Sequence, residues 1–157
     1  MISVLFVCLG NICRSPAAEG VFLDLLDKKS LREKFHIDSA GTSAHHIGER
    51  ADQRMRSHAA KRSIELPSIS RKLVAEDFDK FSYIVVMDES NYRNTIRLAQ
   101  SEDDKHKVLK MADFTPSYSQ GEIPDPYYGG ASGFELVLDM LEEGCEKLLT
   151  YLMKKEV

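Results

Sequence analysis

Residues 4–16 read VLFVCLGNICRSP, and they establish how the chain begins to fold. The stretch opens with four apolar residues that predict a strand buried on both faces, and it closes with a proline, which is favoured at the first position of a helix. A short loop between them starts with Cys8 and ends near Arg14. Backbone N–H groups at a helix N-terminus, together with a guanidinium, suit a phosphate dianion. The stretch therefore predicts a strand, an anion-binding loop and a helix, in that order.

The rest of the chain alternates between strand and helix patterns. We predict strands over residues 3–7, 35–39, 81–87 and 107–111. Helices are expected from Pro16 with Ser15 as N-cap, over 50–62, from Asp88 as N-cap to about residue 99, and after a capping box formed by Ser132 and Glu135. Strands separated by helices indicate an α/β fold, with a parallel sheet and helices on both faces. The phosphate-binding loop after the first strand lies at the carboxyl edge, where such sheets bind ligands.

Composition and charge narrow the class of protein. The length and the 43% hydrophobic content fit a single domain spanning residues 1–157. A net charge of -4 argues against a protein that binds nucleic acid or membrane surfaces in general, because both are polyanions. No long apolar run predicts a membrane span, and the start of the chain lacks the basic region of a signal peptide. Three cysteines, two of them in the loop, do not form a disulfide framework. We expect a cytoplasmic monomer with no nucleic-acid or membrane partner.

The loop residues can be assigned chemical roles. Cys8 is the predicted nucleophile, because the helix dipole, the loop N–H groups and Arg14 all favour its thiolate. The planar fork of Arg14 can hold two phosphate oxygens and follow them through the transition state. Gly10 and Asn11 tolerate positive φ and so allow successive N–H groups to point inward, while Ser15 can donate its hydroxyl to the Cys8 sulfur. The phosphate-binding and loop-support residues are Leu9, Gly10, Asn11, Ile12, Cys13 and Ser15.

The alternative interpretation of the loop is that Cys8 only packs in the core. A buried cysteine after a strand is commonly just a small hydrophobic residue. Arg14, however, would then lie unpaired at a helix N-terminus, where the dipole repels cations. A bound anion explains the arginine better than packing does.

Phosphoryl transfer to sulfur also needs an acid for the leaving group, and Asp125 is the candidate. Prolines on both sides of Asp125 stiffen the backbone and set the direction of the carboxylate. Tyr127 and Tyr128 follow it and can form the wall of a slot for an aromatic ring. The alternative is an ordinary surface turn, since Asp-Pro is common in turns. The presence of the cysteine loop favours the general acid.

Four segments in order resemble the motifs of the low-molecular-weight protein tyrosine phosphatase family, and the resemblance covers essentially the full chain. The segments are residues 7–15, 38–42, 87–91 and 125–128. The resemblance implies a four-stranded parallel α/β fold and a phosphocysteine intermediate at Cys8. It also implies phosphate binding by Arg14 and the loop amides, and Asp125 as general acid and then general base. The implied substrates are phosphotyrosine proteins or peptides and small aryl phosphates, with inorganic phosphate as product and no metal or organic cofactor.

Two positions depart from the family pattern. Where many members carry an aromatic wall opposite the paired tyrosines, this chain has Ala44-His45-His46, and we infer that His45 takes that position. A histidine that many members use to support the loop asparagine corresponds to Ser68 here, so loop support should differ. The adjacent histidines lack further ligands at metal-binding spacing, so no metal site is predicted.

Cys13 has two interpretations that the sequence leaves open. It could capture a sulfenic acid formed on Cys8 as a disulfide, which would make it a redox partner of the nucleophile. It could equally pack behind the loop as a small apolar residue. Cys145, on the apolar face of the last helix, is expected in the core.

Two other functions share some of these features. A thioredoxin-coupled arsenate reductase would need further cysteines near residues 83–91, and that segment has none. A phosphotyrosine-binding module would keep Arg14 while losing the thiol or the acid, whereas both Cys8 and Asp125 are present. A slot walled by Leu9, Ile12 and the tyrosines favours an aryl ester over the shorter serine and threonine phosphates.

Overall fold

A computed structural model describes residues 1–119, 121–127 and 129–156. Within them, four parallel strands form one sheet in the order β2-β1-β3-β4. The strands are β1 (Ile2–Cys8), β2 (Phe35–Gly41), β3 (Tyr83–Val86) and β4 (Val108–Lys110). The helices are α1 (Arg14–Lys28), α2 (Gln53–Ala60), α3 (Asp77–Lys80), α4 (Glu89–Ile96), α5 (Glu102–His106) and α6 (Ala131–Lys155), with 3-10 turns at Arg32–Lys34 and Met111–Phe114. The predicted four-stranded parallel α/β fold is confirmed.

Alternate residues of β1 belong to two separate hydrophobic cores. Val4 and Phe6 pack on the face covered by α1, α2 and α6, whereas Leu5 and Val7 pack on the other face against α3 and α4. Successive side chains of a strand point to opposite faces, so a strand covered on both sides must be apolar throughout. The central position of β1 thus explains its apolar run from Val4 to Val7 and holds its carboxyl end rigidly.

The predicted N-caps of α4 and α1 have different outcomes. Asp88 is the N-cap of α4, as predicted, and its Oδ1 accepts a hydrogen bond from the Asn91 backbone N–H at 2.7 Å. Helix α1 begins at Arg14 with Cys13 as N-cap, so the prediction of Ser15 as N-cap is wrong. The Ser15 hydroxyl is directed into the loop, where it bonds the side chains of Cys8 and Asn11.

The predicted capping box of α6 is also wrong. The helix begins at Ala131 with Gly130 as N-cap, and no side chain caps it. The Glu135 carboxylate instead binds His58 on α2 and Arg62 just beyond it. A tertiary ion pair between helices has therefore replaced the local hydrogen bond that the sequence pattern suggested.

Among the described residues, no helix combines the length and the apolar character that crossing a bilayer requires.

Candidate active site

The loop between β1 and α1 lies at the carboxyl edge of the sheet, beside the end of β2. Cys8 is paired in register with Gly41, and the backbone N–H groups of Thr42 and Ser43 donate to the carbonyls of Cys8 and Leu9 at 3.0 and 2.9 Å. A Cβ at Gly41 would lie 2.8 Å from the Leu9 carbonyl oxygen. Glycine is therefore required at this position for the two chain segments to approach so closely.

Asn11 gives the loop its shape. Its φ of 57° is in the left-handed region, as the sequence predicts, and its side chain is buried. The Nδ2 group donates to Ser15 Oγ at 2.8 Å and to Ser39 Oγ at 3.0 Å, while Oδ1 accepts from the Arg71 backbone N–H at 3.0 Å. The acceptor role of Oδ1 settles which end of the amide is nitrogen. These three bonds hold the strained backbone in place.

Loop support comes from residues that the sequence analysis did not single out. Besides the bonds to Ser39 and Arg71, the Ser70 hydroxyl donates to the Gly10 carbonyl at 3.0 Å. Within the described part of the chain, the Ser68 hydroxyl makes no hydrogen bond to the loop. Support for the loop therefore passes through its neighbours in the same segment, as the departure at Ser68 led us to expect.

The Cys8 thiol is buried at the base of the loop, and its Sγ lies 3.0 Å from Ser15 Oγ. Ser15 Oγ accepts a hydrogen bond from Asn11 Nδ2, so its own hydroxyl proton can be donated to the sulfur. The predicted contact between Ser15 and Cys8 is present. A hydroxyl aimed at sulfur in this way stabilises a thiolate.

Arg14 is fully buried, and it is not unpaired. Its Nη1 donates to Asp88 Oδ2 at 2.6 Å and to the Ile123 carbonyl at 3.0 Å. Burial alone would lower the pKa of Arg14, but Cys8, Asp88 and Asp125 nearby raise it, so the guanidinium is charged. The expectation that Arg14 lacks a partner without an anion is therefore wrong, because β3 brings Asp88 to the same edge of the sheet.

Asp88 is a site residue whose contact with Arg14 the sequence analysis missed. It was interpreted only as the N-cap of α4, a role it does fill with its other carboxylate oxygen. A signal was present in the sequence, since an acidic residue directly following a buried strand lies at the ligand-binding edge of a parallel sheet.

The loop that carries Asp125 is tied to the end of β3. The Ile123 backbone N–H donates to the Met87 carbonyl at 2.8 Å. Asp125 Oδ1 accepts from the Tyr127 backbone N–H at 3.0 Å, and Oδ2 lies 3.6 Å from Arg14 Nη2. The Asp125 side chain is about two-fifths exposed, so it can exchange protons with water. The structure thus brings the predicted acid beside the predicted phosphate-binding arginine.

A cavity of about 490 Å³ opens above the cysteine loop. Its size and its mixture of apolar walls and convergent polar groups are typical of small-ligand sites. Tyr128 lies outside the described residues. The cavity is lined by Cys8, Leu9, Gly10, Ile12, Cys13, Arg14, Ser43, His45, His46, Asp125 and Tyr127.

Two histidines and an arginine shape the walls of this cavity. His45 lines it but is exposed, whereas the His46 ring faces the Tyr127 ring, with 6.0 Å between centroids. The Arg54 guanidinium lies 5.3 Å from the Tyr127 ring centroid, and its Nη2 donates to the Tyr127 carbonyl at 3.0 Å. Arg54 Nη2 also donates a hydrogen bond to Asp52 Oδ2 at 3.0 Å. His46 and Arg54 were not predicted as wall residues, because neither sequence position indicates which ring meets Tyr127.

Outside the cysteine loop, the described cysteines and histidines are not grouped into a metal-binding site. Cys13 and Cys145 are free and buried, and burial raises the pKa of each thiol. Within residues 1–119, 121–127 and 129–156, no three His, Cys, Asp or Glu side chains are grouped in a way that could hold a metal ion.

Comparisons with known proteins agree with this geometry. Residues 3–157 match the family model described as low molecular weight phosphotyrosine protein phosphatase. The chain is 38% identical to the low molecular weight protein-tyrosine-phosphatase YfkJ of Bacillus subtilis, covering 99% of each chain. It is 43% identical to the low molecular weight phosphotyrosine protein phosphatase of Gallus gallus, covering 94% of this chain and 93% of that one. A crystal structure of a protein tyrosine phosphatase from Entamoeba histolytica superposes with a TM-score of 0.96 at 45% identity, covering both chains completely.

Proposed function

The chain belongs to the low molecular weight phosphotyrosine protein phosphatase family, and we propose that Cys8, Arg14 and Asp125 carry out its phosphotyrosine hydrolysis. It is a protein tyrosine phosphatase, and its mechanism uses a cysteine nucleophile. The observation that carries the proposed roles is the convergence of the three side chains on one cavity. A nucleophile, an anion-binding fork and a proton donor within one small volume meet the needs of phosphoryl transfer to sulfur.

In the first step, the Cys8 thiolate attacks phosphorus and the bond to the tyrosine oxygen breaks. Arg14 and the inward loop amides hold the three equatorial oxygens, where charge accumulates in the transition state. Asp125 gives its proton to the departing phenolate oxygen. The products are phosphocysteine, the free tyrosine side chain and an Asp125 carboxylate.

In the second step, the Asp125 carboxylate takes a proton from a water molecule, whose oxygen attacks phosphorus. The phosphorus–sulfur bond breaks, and inorganic phosphate is formed. Ser15 donates its hydroxyl proton in a hydrogen bond to the sulfur as negative charge returns to it. The Cys8 thiolate and the protonated Asp125 are then regenerated, because the water proton stays on the carboxyl group.

The proposed substrates are phosphotyrosine proteins or peptides and small aryl phosphates. The ring of the substrate would lie in this cavity, whose walls include Tyr127 and His46, with Leu9 and Ile12 of the loop beneath it. His45, at the exposed edge of the cavity, would contact residues that flank the phosphotyrosine. We further propose that the chain acts as a cytoplasmic monomer with one domain over residues 1–157, without nucleic-acid or membrane partners.

Two variants and two substrates test the roles of Cys8 and Asp125. Cys8→Ser should bind inorganic phosphate but show no turnover, and no phosphocysteine should be trapped from it by mass spectrometry. Asp125→Ala should slow phenyl phosphate, which has a poor leaving group, by about 10²–10⁴-fold, and 4-nitrophenyl phosphate by much less. Asp103→Ala, at an exposed position on α5, serves as the control and should match wild type. Equal activity of wild type and Cys8→Ser would overturn the proposal, and equal slowing of both substrates would exclude Asp125 as the acid.

We also propose that Cys13 protects the nucleophile against peroxide. Hydrogen peroxide would oxidise the Cys8 thiolate to a sulfenic acid, and the Cys13 sulfur would then displace hydroxide from it to form a disulfide. Both thiols line the same cavity, although burial raises the pKa of Cys13 and slows its attack. Mass spectrometry after brief peroxide treatment should find a Cys8–Cys13 linkage. Failure to find it, together with unchanged recovery of activity in Cys13→Ser, would exclude this role.

A further inference from the structure

A buried carboxylate lies beneath the cysteine loop, and the two chemical steps do not use it. Glu19 is on the second turn of α1, is only 6% exposed, and faces β2. Its Oε1 accepts a hydrogen bond from Ser39 Oγ at 2.6 Å. Carboxylates are almost never fully buried unless something compensates their charge, so the burial of Glu19 needs a physical reason.

Glu19 is joined to the nucleophile by an unbroken series of hydrogen bonds. Ser39 Oγ accepts from Asn11 Nδ2 at 3.0 Å, Asn11 Nδ2 also donates to Ser15 Oγ at 2.8 Å, and Ser15 Oγ lies 3.0 Å from Cys8 Sγ. All of these groups are buried. The series has no break between the carboxylate and the sulfur.

The hydrogen bonds of Asn11 set a preferred direction for the protons in this series. Asn11 Oδ1 accepts from a backbone N–H, so both Nδ2 protons point toward the serines. Ser39 accepts one of them and donates its own proton to Glu19. Ser15 accepts the other, and its own proton has two acceptors in reach, Cys8 Sγ at 3.0 Å and the Ala40 carbonyl at 3.5 Å, of which the sulfur is the nearer. A charged acceptor at Glu19 reinforces this arrangement, because hydrogen bonds in a chain polarise one another.

The charges around Glu19 do not neutralise it. Burial raises its pKa to about 7, and the nearby Asp38 on β2 acts in the same direction. The Ser39 and Ser68 hydroxyls and the Arg71 guanidinium lower the pKa, but by less in total. Arg71 is itself engaged by Asp38 at 3.2 Å and by Asp77 of α3 at 3.0 Å. Glu19 therefore gains and loses its proton near neutral pH, and none of the described residues forms an ion pair with it.

We propose that Glu19 is a positioning residue whose ionised carboxylate orients Ser39 and, through Asn11 and Ser15, the hydrogen bond that Cys8 receives. Protonation of Glu19 replaces a charged acceptor by a neutral one and weakens the alignment of the whole series. The catalytic site then responds to pH through a group that never contacts the substrate. This role rests on the proposed function, since it acts on the same sulfur.

The test compares the pH dependence of wild type and Glu19→Gln. Glutamine has nearly the same shape and remains neutral, so it represents the protonated state at every pH. The ratio of kcat/KM for wild type to that for Glu19→Gln cancels the ionisations that both proteins share. We expect this ratio to rise about fivefold between about pH 5.5 and about pH 8, with its midpoint near 7, because a hydrogen bond to a charged group is stronger than one to a neutral group. A ratio that is constant with pH would mean a purely structural role and would overturn the inference.

A second variant tests the route. Ser39→Ala keeps Glu19 but removes the link to Asn11. The ratio of kcat/KM for wild type to that for Ser39→Ala should therefore rise in the same way, with its midpoint near pH 7. In the Ser39→Ala background, Glu19→Gln should then produce no further pH-dependent change, whereas a full additional step would contradict the route through Ser39. If Glu19→Gln fails to fold, the step in Ser39→Ala decides the question, since a constant ratio there would equally overturn the inference. Glu33→Gln, an exposed change of the same chemistry, should give a constant ratio.

This result can be separated from that for the proposed function. If Cys8→Ser retains turnover, the nucleophile itself is wrong. If Cys8→Ser is inactive while wild type and Glu19→Gln have parallel pH profiles, only the role of Glu19 fails.

Discussion

Arg14 Nη1 lies 2.6 Å from Asp88 Oδ2, in an ion pair between the loop after β1 and the residue that caps α4. The same Asp88 carboxylate uses its other oxygen to hold the first turn of α4, so its position is fixed by a helix. The guanidinium is therefore oriented before any phosphate arrives. Groups that are already in place need no reorganisation during the reaction, which is a main source of transition-state stabilisation.

Two substitutions of Asp88 separate its two roles. Asp88→Asn keeps an oxygen for the helix cap but removes the charge opposite Arg14, and we expect kcat/KM to fall about tenfold and stability to fall by about 2 kcal/mol. Asp88→Ala should lose a further ~1 kcal/mol, because the cap is also removed. Steady-state kinetics and urea unfolding measure the two effects. Wild-type kcat/KM in Asp88→Asn would show that Arg14 is oriented without this ion pair.

The two adjacent histidines should have unequal effects on substrate binding. The His46 ring faces Tyr127, whereas His45 is at the exposed edge of the cavity. His46→Ala should raise KM for 4-nitrophenyl phosphate about threefold, the usual value of one aromatic contact, and His45→Ala should change it by less than about twofold. A larger effect at His45 would support the wall position inferred from the sequence.

Arg54 should influence binding of the substrate ring through Tyr127. It lies over that ring and binds the Tyr127 carbonyl, and Asp52 holds it in place. Arg54→Lys keeps the charge but loses the planar fork, so KM for aryl phosphates should rise about threefold while kcat changes little. Arg93→Lys, at an exposed site on α4, is the matched control. A loss in kcat with unchanged KM would point to a role in the chemical step instead.

Glu19 should make the folded protein less stable as pH rises. Burial raises its pKa from an ordinary value of 4.5 to about 7, so between these values the folded chain holds a proton that the unfolded chain releases. The stabilising contribution is complete below about pH 4.5 and is lost by about pH 7, a change of about 3 kcal/mol.

Urea unfolding of wild type and Glu19→Gln over this pH range measures that change. Glutamine does not titrate, so the difference in unfolding free energy between the two proteins should change by about 3 kcal/mol over this pH range. The unfolding free energy of Glu33→Gln should follow that of wild type. A difference that stays constant with pH would mean that Glu19 titrates normally in the folded state. The same ionisation that we expect to align the nucleophile thus weakens the fold.

Contiguous sequence was sufficient for β1, for the cysteine loop and for the left-handed conformation of Asn11. Each depends on residues that are neighbours in the chain: an apolar run, a residue tolerant of positive φ, and a proline in the first turn of α1. The helix caps were less predictable. Ser15 and Glu135 both fit local capping patterns, yet Ser15 bonds Asn11 within the loop and Glu135 bonds Arg62, which is far away in the chain. A buried hydrogen bond or an ion pair competes successfully with a cap.

The order of the four strands and of the four longer helices, the identity of the thiol loop and the nature of its chemistry were already determined by local residue patterns, because a periodicity or a loop motif acts over a few neighbouring positions. The short helices α3 and α5 were not predicted. The pairing of Arg14 with Asp88, the choice of His46 over His45 as the ring facing Tyr127, and the burial of Glu19 under Ser39 were not. These contacts join segments that are far apart in the chain. They arise only when the parallel sheet brings the ends of its strands to a common edge, and packing then decides which side chains meet and which lose their water.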